Sequence, residues 1–462
     1  MRKIVLGFIC LSFAVSLPAQ AVRSYTISAE FFPEDAKMYG YSVSPDAFMR
    51  ASAVVEFAKT DKERLTFYLH GELAIDSILS DSKNIEYESD KVLYYYDYSQ
   101  VALKVTVKSS DIGPDKSLEI RYSGFFNPSR ARGLSDYMRI HKDGGVFLRA
   151  YGYSLWFPVF LEMEEDSYEA DFQSVTVKVP ADFKVIVAGE LISESVKDNV
   201  LTSLWKPGLM NIMDIQCTAR KYRINAKDNI FVYYVENERN SAKILDFAIA
   251  LKELYSRNLR SIDSAIPLYI MEMPKYGDIS SGNVVGISKR VYDDFENDQH
   301  SRLTIAHELV HPYVHIPVSK DNPFCALVVE GFPSFFQVYA LKRIDRTFDL
   351  DQKMKEIEKQ YLAKRERRDF TKEKPILQIT FDEIGNYKDH FVLNDRVWLF
   401  FYDLWKEMGD ESFDVFLKKL FSWDSINYKR FEGLILEFLP DFKEKLNLWL
   451  NTTEYSQAMK IQ

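Results

Sequence analysis

The stretch that decides the interpretation of this sequence contains two histidines and an acid: His307-Glu308-Leu309-Val310-His311. On a helix, positions i and i+4 share one face, so His307 and His311 can bind one metal ion. Glu308 lies beside the first histidine, where its carboxylate can reach a water molecule on that metal and act as a general base. Glu330, nineteen positions after His311, adds an anionic third ligand and leaves one coordination position open.

An open coordination position is typical of a catalytic zinc site, because structural zinc sites are closed by four protein ligands. Histidine is scarce, with seven in 462 residues, yet two of them have the required spacing. Glu330 lies in an apolar run, where a lone carboxylate is costly unless it is paired or binds a metal. We therefore predict a Zn2+ site; the alternative is a helix with two histidines at the edge of the core. Pro312 predicts a kink or loosening directly after the motif.

The N-terminus has the three parts of a secretory signal peptide, which we place at residues 1–21. A basic start, Met1-Arg2-Lys3, precedes an apolar stretch from Ile4 to Leu17, and Ala19-Gln20-Ala21 provides a small-residue cleavage site. We expect an exported protein in the periplasm, at the cell surface or in the medium, with an uncleaved membrane anchor as the alternative. No later stretch is long and apolar enough to span a bilayer.

The amino-acid composition limits which classes of protein this chain can belong to. The net charge of −9 argues against a nucleic-acid partner, and 47% hydrophobic residues are ample for buried cores. Outside the signal peptide the chain has two cysteines, Cys217 and Cys325, which form either two buried thiols or one disulfide. This is not the cysteine pattern of a disulfide scaffold.

Two patterns divide the chain. Residues 22–226 have a period of two, as in Val101 to Val107 and Val175 to Val179, which predicts an antiparallel β-sandwich or saddle-shaped sheet. Within residues 227–462, the apolar positions from Ile244 to Tyr255 follow a helical period. A short strand from Pro267 to Met273 precedes the metal motif, and the chain beyond Asp349 is predicted mostly helical. The fold class is α+β, with the metal site in the second domain.

The spacing His-Glu-x-x-His, eighteen residues, then Glu resembles that of gluzincin peptidases of the aminopeptidase N family. Trp156-Phe157-Pro158 and Val187-Ala188-Gly189 are similar to the end of that family's N-terminal β-domain, and Gly409-Asp410-Glu411-Ser412-Phe413 resembles a late helix junction. The resemblance implies a β-saddle followed by a thermolysin-like, mostly helical zinc catalytic domain. Since the sequence stops at Gln462, we expect a short form without the family's large C-terminal helical domain.

Two departures from the family concern the substrate. The family carries Gly-x-Met-Glu-Asn on the strand before the metal helix, and its Glu holds the free α-amine of the substrate. Here Asn283 falls at that place, which makes it the substrate-binding candidate, although a neutral amide offers no counter-charge. The place of the family's oxyanion-stabilising Tyr is held by Asn394. Tyr387 and His390 lie nearby in the sequence, and Tyr387 is the candidate catalytic residue.

These observations predict an exported zinc metallopeptidase that hydrolyses peptide or protein substrates with Glu308 as general base. The resemblance favours an aminopeptidase, while Asn283 and the short chain favour an endopeptidase with a more open cleft. A catalytically silent binding protein on a peptidase scaffold is a further alternative, because the expected Glu and Tyr are both replaced. A last alternative is a hydrolase that uses the same zinc centre on a small molecule other than a peptide.

Overall fold

The computed structural model describes residues 22–32, 49–58, 62–93, 101–113, 115–124, 138–140, 146–148, 155–160, 169–212, 215–260, 266–273, 279–314, 316, 322–366, 373–379, 392–456 and 459–460. The predicted signal peptide, residues 1–21, lies outside these ranges. Contacts divide the chain into two compact units. The first contains the residues up to Ala181 together with Leu191–Ile215, and the second contains Asp182–Glu190 and Gln216–Gln462.

Strands dominate the N-terminal half of the described chain. In chain order they are β1 (Val22–Phe31), β2 (Met49–Phe57), β3 (Arg64–His70), β4 (Leu73–Ser80), β5 (Lys83–Asn84), β6 (Tyr87–Leu93), β7 (Val101–Lys108), β8 (Ser117–Gly124), β9 (Met138–Ile140), β10 (Val146–Leu148), β11 (Glu169–Pro180), β12 (Lys184–Val187), β13 (Glu190–Lys197), β14 (Val200–Lys206), β15 (Gly208–Asn211), β16 (Cys217–Arg220), β17 (Arg223–Lys227), β18 (Ile230–Tyr234), β19 (Leu268–Met273), β20 (Ile279–Ser281) and β21 (Val284–Ser288).

Helices form most of the rest. They are α1 (Glu238–Asn258), α2 (Lys289–Asp293), α3 (Gln299–Val314), α4 (Phe332–Ile344), α5 (Leu350–Arg365), α6 (Val397–Met408), α7 (Asp410–Phe421), α8 (Tyr428–Phe438) and α9 (Lys443–Asn451). Two π-helical turns, Leu327–Gly331 and Val392–Arg396, directly precede α4 and α6. Short 3-10 turns occur at Ser109–Asp111, Ile376–Gln378 and Pro440–Phe442.

The first unit is built on a nine-stranded sheet with the order β13-β14-β11-β1-β2-β8-β4-β5, in which β15 also pairs with β11. A three-stranded sheet, β3-β7-β6, accompanies it. The ring of Phe160 packs against Phe57 of the large sheet and Phe67 of the small one, with centroids 5.1 and 5.0 Å apart. The predicted β-rich domain is confirmed, although β1 and β11 pair in parallel and not antiparallel.

The second unit places helices around a five-stranded sheet of order β17-β18-β19-β21-β20. The inner strands β18, β19 and β21 are parallel, and the edge strands β17 and β20 run antiparallel to them. The domain boundary predicted from the sequence, between residues 226 and 227, lies inside β17. Strand β17 pairs with β18, which belongs to the second unit. The contact division lies nearer the N-terminus because β16 and β17 both pair with strands of the second unit.

Helix α1 shows why the predicted helical segments form. The side chain of Asn237 caps its N-terminus by accepting a hydrogen bond from the backbone N–H of Asn240. The residues that recur at helical spacing, among them Ile244, Leu251 and Tyr255, are buried in the core of the unit. The predicted α+β class with a mostly helical second domain is thereby confirmed.

Two smaller expectations concern single features. Cys217 and Cys325 are both buried and are not joined by a disulfide. Burial raises the pKa of the Cys217 thiol to about 12, which keeps it protonated at neutral pH. In the described part of the chain, the helices lack the combination of length and apolarity that spanning a membrane requires.

Candidate metal centre

Helix α3 carries the three motif residues and is held in place by α1. The hydroxyl of Tyr255 on α1 donates to the carbonyl oxygen of Ala306, the residue before His307, over 2.9 Å. His307 and His311 lie one turn apart with their rings at 83° and their centroids 4.9 Å apart. Pro312 is accommodated inside the helix, which continues to Val314, so the motif does not end it.

Glu330 approaches the histidines from the first π-helical turn, Leu327–Gly331. Its Oε2 lies 3.4 Å from Nε2 of His307. The next residue, Gly331, packs so closely that a Cβ there would lie 2.8 Å from Cδ1 of Leu327. A larger residue would require the end of the flexible Leu327 side chain to move, and the backbone of Gly331 is in the ordinary right-handed helical region, with φ −65° and ψ −47°. The spacing predicted Glu330 as the third member of the set, but not the π-helical form of the turn.

The distances between the three side chains fit a tetrahedral metal. Nε2 of His307 and Nε2 of His311 are 3.3 Å apart, and the His307–Glu330 separation is 3.4 Å. Zinc bonds of about 2.0–2.1 Å at the tetrahedral angle separate two ligand atoms by about 3.3–3.4 Å. One candidate ligand atom from each of His307, His311 and Glu330 lies within 4.8 Å of the other two. The donor set, two imidazoles and one carboxylate, is that of a catalytic zinc site.

Glu308 is the remaining member of the motif. Only 8% of it is exposed, although it is an ionisable residue next to a metal-ligand candidate. Buried carboxylates are rare unless they have a partner or a function. Because Pro312 has no N–H, the carbonyl of Glu308 also lacks the usual helical hydrogen bond from four residues later.

Asn283 does not lie on a strand. It follows β20 in the tight turn before β21, and its side chain is bound to backbone groups of the same unit. Nδ2 donates to the carbonyl oxygens of Gly189 and Pro267, both at 2.8 Å, and Oδ1 accepts from the N–H of Gly189 at 2.7 Å. Both N–H groups of the amide are thus used. These hydrogen bonds connect the turn to Gly189. The extended residues of this stretch are Ser280 and its neighbours in β20, which pair with β21.

The second π-helical turn, Val392–Arg396, was not predicted. Each of its last three residues binds a different element: Asn394 binds Ser334 on α4, Asp395 binds Lys364 on α5, and Arg396 binds the C-terminal segment. Arg396 is fully buried and donates to several carbonyls around the end of α9. This turn is therefore fixed on three sides. Tyr387 and His390, the other candidates near the site, lie outside the described residues.

Comparison with known proteins shows a similarity in fold to solved structures. No protein-family model matches the sequence, and no curated protein matches it. Among solved structures, the M1 zinc metallopeptidase from Deinococcus radiodurans superposes with a TM-score of 0.63 at 13% identity, covering 96% of this chain and 97% of that chain. Native yeast LTA4 hydrolase gives a TM-score of 0.65 at 13% identity, covering 95% of this chain and 68% of the yeast chain.

A variant of the Deinococcus enzyme has also been solved with a Tyr-Ser-Ala substrate, and it superposes with a TM-score of 0.62 at 13% identity, covering 96% of each chain. At such identities the likeness concerns the fold. The chain therefore has a two-domain fold like that of M1 zinc metallopeptidases, a β-rich N-terminal domain followed by a helical one. The resemblance noted in the sequence is supported at this level.

Proposed function

We propose that this chain is a zinc-dependent metallopeptidase with His307, His311 and Glu330 as ligands and Glu308 as general base. The observation that carries the proposal is the pair of separations, 3.3 and 3.4 Å, at which the two imidazoles and the carboxylate face one another. A zinc ion bound there would polarise the substrate carbonyl and lower the pKa of a coordinated water to about 7. Solved structures of similar fold are zinc metallopeptidases, one of them with a peptide substrate.

In this proposal Glu308 transfers one proton twice. It takes the proton from the attacking water as the water oxygen forms a bond to the carbonyl carbon, and the C=O electron pair moves onto the carbonyl oxygen. When the carbonyl re-forms, the C–N bond breaks. The proton held by Glu308 then passes to the leaving amine, so a carboxylic acid and a free amine are released. The low exposure of Glu308 supports this role, because burial strengthens its interaction with the reacting atoms.

The aminopeptidase and endopeptidase forms of the proposal differ in how the substrate N-terminus is bound. The resemblance of the metal motif and its spacing to the aminopeptidase N family favours an aminopeptidase. One observation favours the endopeptidase: Asn283 carries no charge, and its amide is bound to Gly189 and Pro267. The strand β20 before it contains no acid. Without a counter-charge, a free α-amine gains little over a blocked one. Comparing free and N-blocked versions of one fluorogenic peptide separates these forms, because an aminopeptidase cleaves only the free one.

We also propose that the enzyme is exported, with residues 1–21 as its signal peptide and a peptide or protein as its substrate. The support is the basic, apolar and small-residue order of this segment. N-terminal sequencing of protein secreted by its native host tests this directly. A mature terminus near Val22 is expected, and a retained Met1 contradicts export by cleavage.

The decisive test of the function is Glu308→Gln. We expect this variant to keep bound zinc and to lose about 10²- to 10⁴-fold in kcat, the usual contribution of a general base. Glu253→Gln, on an exposed position of α1, is the matched control and should keep full activity. Full hydrolysis by Glu308→Gln would remove Glu308 from the mechanism. A wild-type protein that binds zinc but cleaves nothing in a broad peptide library would favour the silent binding protein.

A further inference from the structure

Tyr255, on α1, contacts the metal-bearing helix α3 at two places. Its hydroxyl donates to the carbonyl oxygen of Ala306 over 2.9 Å, and its ring centroid lies 5.4 Å from that of Tyr313. Ala306 and Tyr313 are seven positions apart, which is about two turns and about 10 Å of helix, so they lie on one face of α3. Both motif histidines, His307 and His311, lie between these contacts. A single side chain of α1 therefore holds α3 before the first candidate ligand and after the second.

The carbonyl of Ala306 links Tyr255 to the first histidine. As a residue inside an α-helix, Ala306 accepts a hydrogen bond from the backbone N–H of Val310. A carbonyl oxygen has two lone pairs, so it can accept from the Tyr255 hydroxyl as well. The same planar peptide unit contains the backbone nitrogen of His307. The direction of this carbonyl therefore determines where the His307 side chain leaves the helix.

His307 is the candidate ligand on which both short separations depend. Its Nε2 lies 3.3 Å from Nε2 of His311 and 3.4 Å from Oε2 of Glu330. A displacement of His307 changes both distances at once, whereas a displacement of Glu330 leaves the first unchanged. Because zinc binds nitrogen and oxygen ligands within a narrow range of about 2.0–2.2 Å, a small shift of His307 costs affinity.

Tyr255 is held in place and remains protonated. Only 2% of it is exposed, and it lies in the hydrophobic core of the second unit. Burial, and then the neighbouring Tyr313, raise the pKa of its hydroxyl well above 10, so it keeps its proton at neutral pH. At the end of the same helix, Nδ2 of Asn258 donates to Oδ1 of Asp414 on α7 over 3.2 Å. The part of α1 that carries Tyr255 is thereby fixed to the rest of the unit.

We propose that Tyr255 is a positioning residue for the zinc centre, whose hydroxyl, through the carbonyl of Ala306, sets the place of His307 relative to His311 and Glu330. Tyr255 contacts neither the metal nor the substrate. The inference rests on the proposed function, because it concerns the metal site of that reaction. Groups around a metal site usually orient a ligand by a hydrogen bond to its side chain. Here the hydrogen bond acts on the backbone next to the ligand.

Two variants of Tyr255 and one control separate positioning from packing. Tyr255→Phe removes the hydroxyl and keeps the ring, so it isolates the hydrogen bond to Ala306. Tyr255→Leu also removes the ring contact with Tyr313. The matched control is Tyr222→Phe, since Tyr222 is also buried, donates to the carbonyl oxygen of Glu272 over 3.0 Å and packs its ring against another tyrosine. Thermal midpoints of the zinc-free proteins establish which variants are folded and how much stability each hydroxyl contributes.

The first readout is zinc affinity, measured against a competing chelator. We expect Tyr255→Phe to raise the zinc Kd by about 10-fold, the lower end of the effect of groups around a metal's ligands, and Tyr255→Leu to raise it further. The second readout is the visible absorption spectrum of the cobalt-substituted proteins, which reports the geometry of the ligands. The spectrum of Tyr255→Phe should differ from that of the wild type. Tyr222→Phe should match the wild type in both readouts at a similar loss in thermal midpoint.

The inference is overturned if Tyr255→Phe keeps the wild-type zinc Kd and cobalt spectrum, which would limit its hydroxyl to packing. It is equally overturned if Tyr222→Phe changes both by the same amount, because a general loosening of the unit would then explain the effect. If Tyr255→Leu does not fold, Tyr255→Phe decides alone. In these cases a wild type that binds zinc and depends on Glu308 leaves the proposed function intact. A wild type that binds no zinc removes the proposed function, and this inference with it.

Discussion

Helix α3 carries two of the candidate metal ligands, and the turn between β20 and β21 carries Asn283, the candidate for substrate binding, and the contacts of the side chains differ between these two regions. His307 and His311 on α3 face each other and Glu330 at separations that a tetrahedral metal requires. Asn283 in the turn directs its amide to the backbone of Gly189 and Pro267. The first region brings together two imidazoles and a carboxylate, which a cation could bind together, whereas the amide in the second region is hydrogen-bonded to backbone groups. The residue types alone do not distinguish the two regions, whereas the contacts of their side chains do.

The largest effect should come from removing a ligand of the first region. Glu330→Gln is expected to weaken zinc binding by more than about 100-fold, because even outer-shell partners of a metal cost 10–100-fold. The fold of the metal-free protein should change little, since Glu330 is partly exposed. Titration of zinc against a competing chelator measures this, with Glu356→Gln on an exposed part of α5 as control. An unchanged zinc affinity would mean that the short distances from Nε2 of His307 to His311 and to Glu330 do not mark a metal site.

A histidine far from the motif in sequence sharpens the contrast between ligand and packing roles. His70, at the end of β3, accepts a hydrogen bond from the N–H of Glu72 through Nδ1. Burial, and then the positive charge of Lys91, lower the pKa of His70 from 6.5 to about 4. Above pH 6.5 neither the folded nor the unfolded state holds the proton. Between pH 6.5 and 4 only the unfolded state binds it, so the free energy of unfolding falls as the pH is lowered, by about 3 kcal/mol at most.

Chemical denaturation from pH 7 to pH 4 measures this slope. His70→Gln, which stays neutral, should have a flatter profile over the same range. Identical profiles for the wild type and His70→Gln would show that His70 takes up its proton equally in both states. Zinc-free protein is needed for both measurements, so that metal release from the first region does not add to the slope.

The smallest effect is expected at the turn, and it is one on stability. Asn283→Ala removes the partners of three backbone groups at Gly189 and Pro267, which should lower the free energy of unfolding by about 1–3 kcal/mol. Values of kcat and KM should change little for free and for N-blocked peptides. A large rise in KM confined to peptides with a free α-amine would instead place Asn283 in the substrate site, as the sequence predicted, and would remove the contrast between the two regions.

What the sequence predicted well depends on short-range rules. The i, i+4 period placed His307 and His311 on one face, and the alternation around Val101 and Val175 corresponds to β7 and β11. The junction at Gly409 is confirmed, since α6 ends at Met408 and α7 begins at Asp410 with Gly409 at a positive φ of 75°. Each of these needs only the residues within a few positions of it.

What the sequence could not predict depends on contacts between distant segments. Asn283 and Gly189 are 94 positions apart, and Ser334 and Asn394 are 60 apart, so neither hydrogen bond has a local signal. The turn at Asn283 and the extended residues from Val284 were predicted locally, but the partners of the Asn283 amide were not.

The central claim is that His307, His311 and Glu330 converge on one zinc ion. X-ray absorption at the zinc edge, on protein purified without chelator, tests it most directly. We expect one zinc per chain with two imidazole nitrogens at about 2.0–2.1 Å and oxygen ligands at about 2.0–2.2 Å, and loss of one oxygen ligand in Glu330→Gln. A protein that holds no zinc, or a zinc shell with sulfur ligands or with no imidazole, would contradict it.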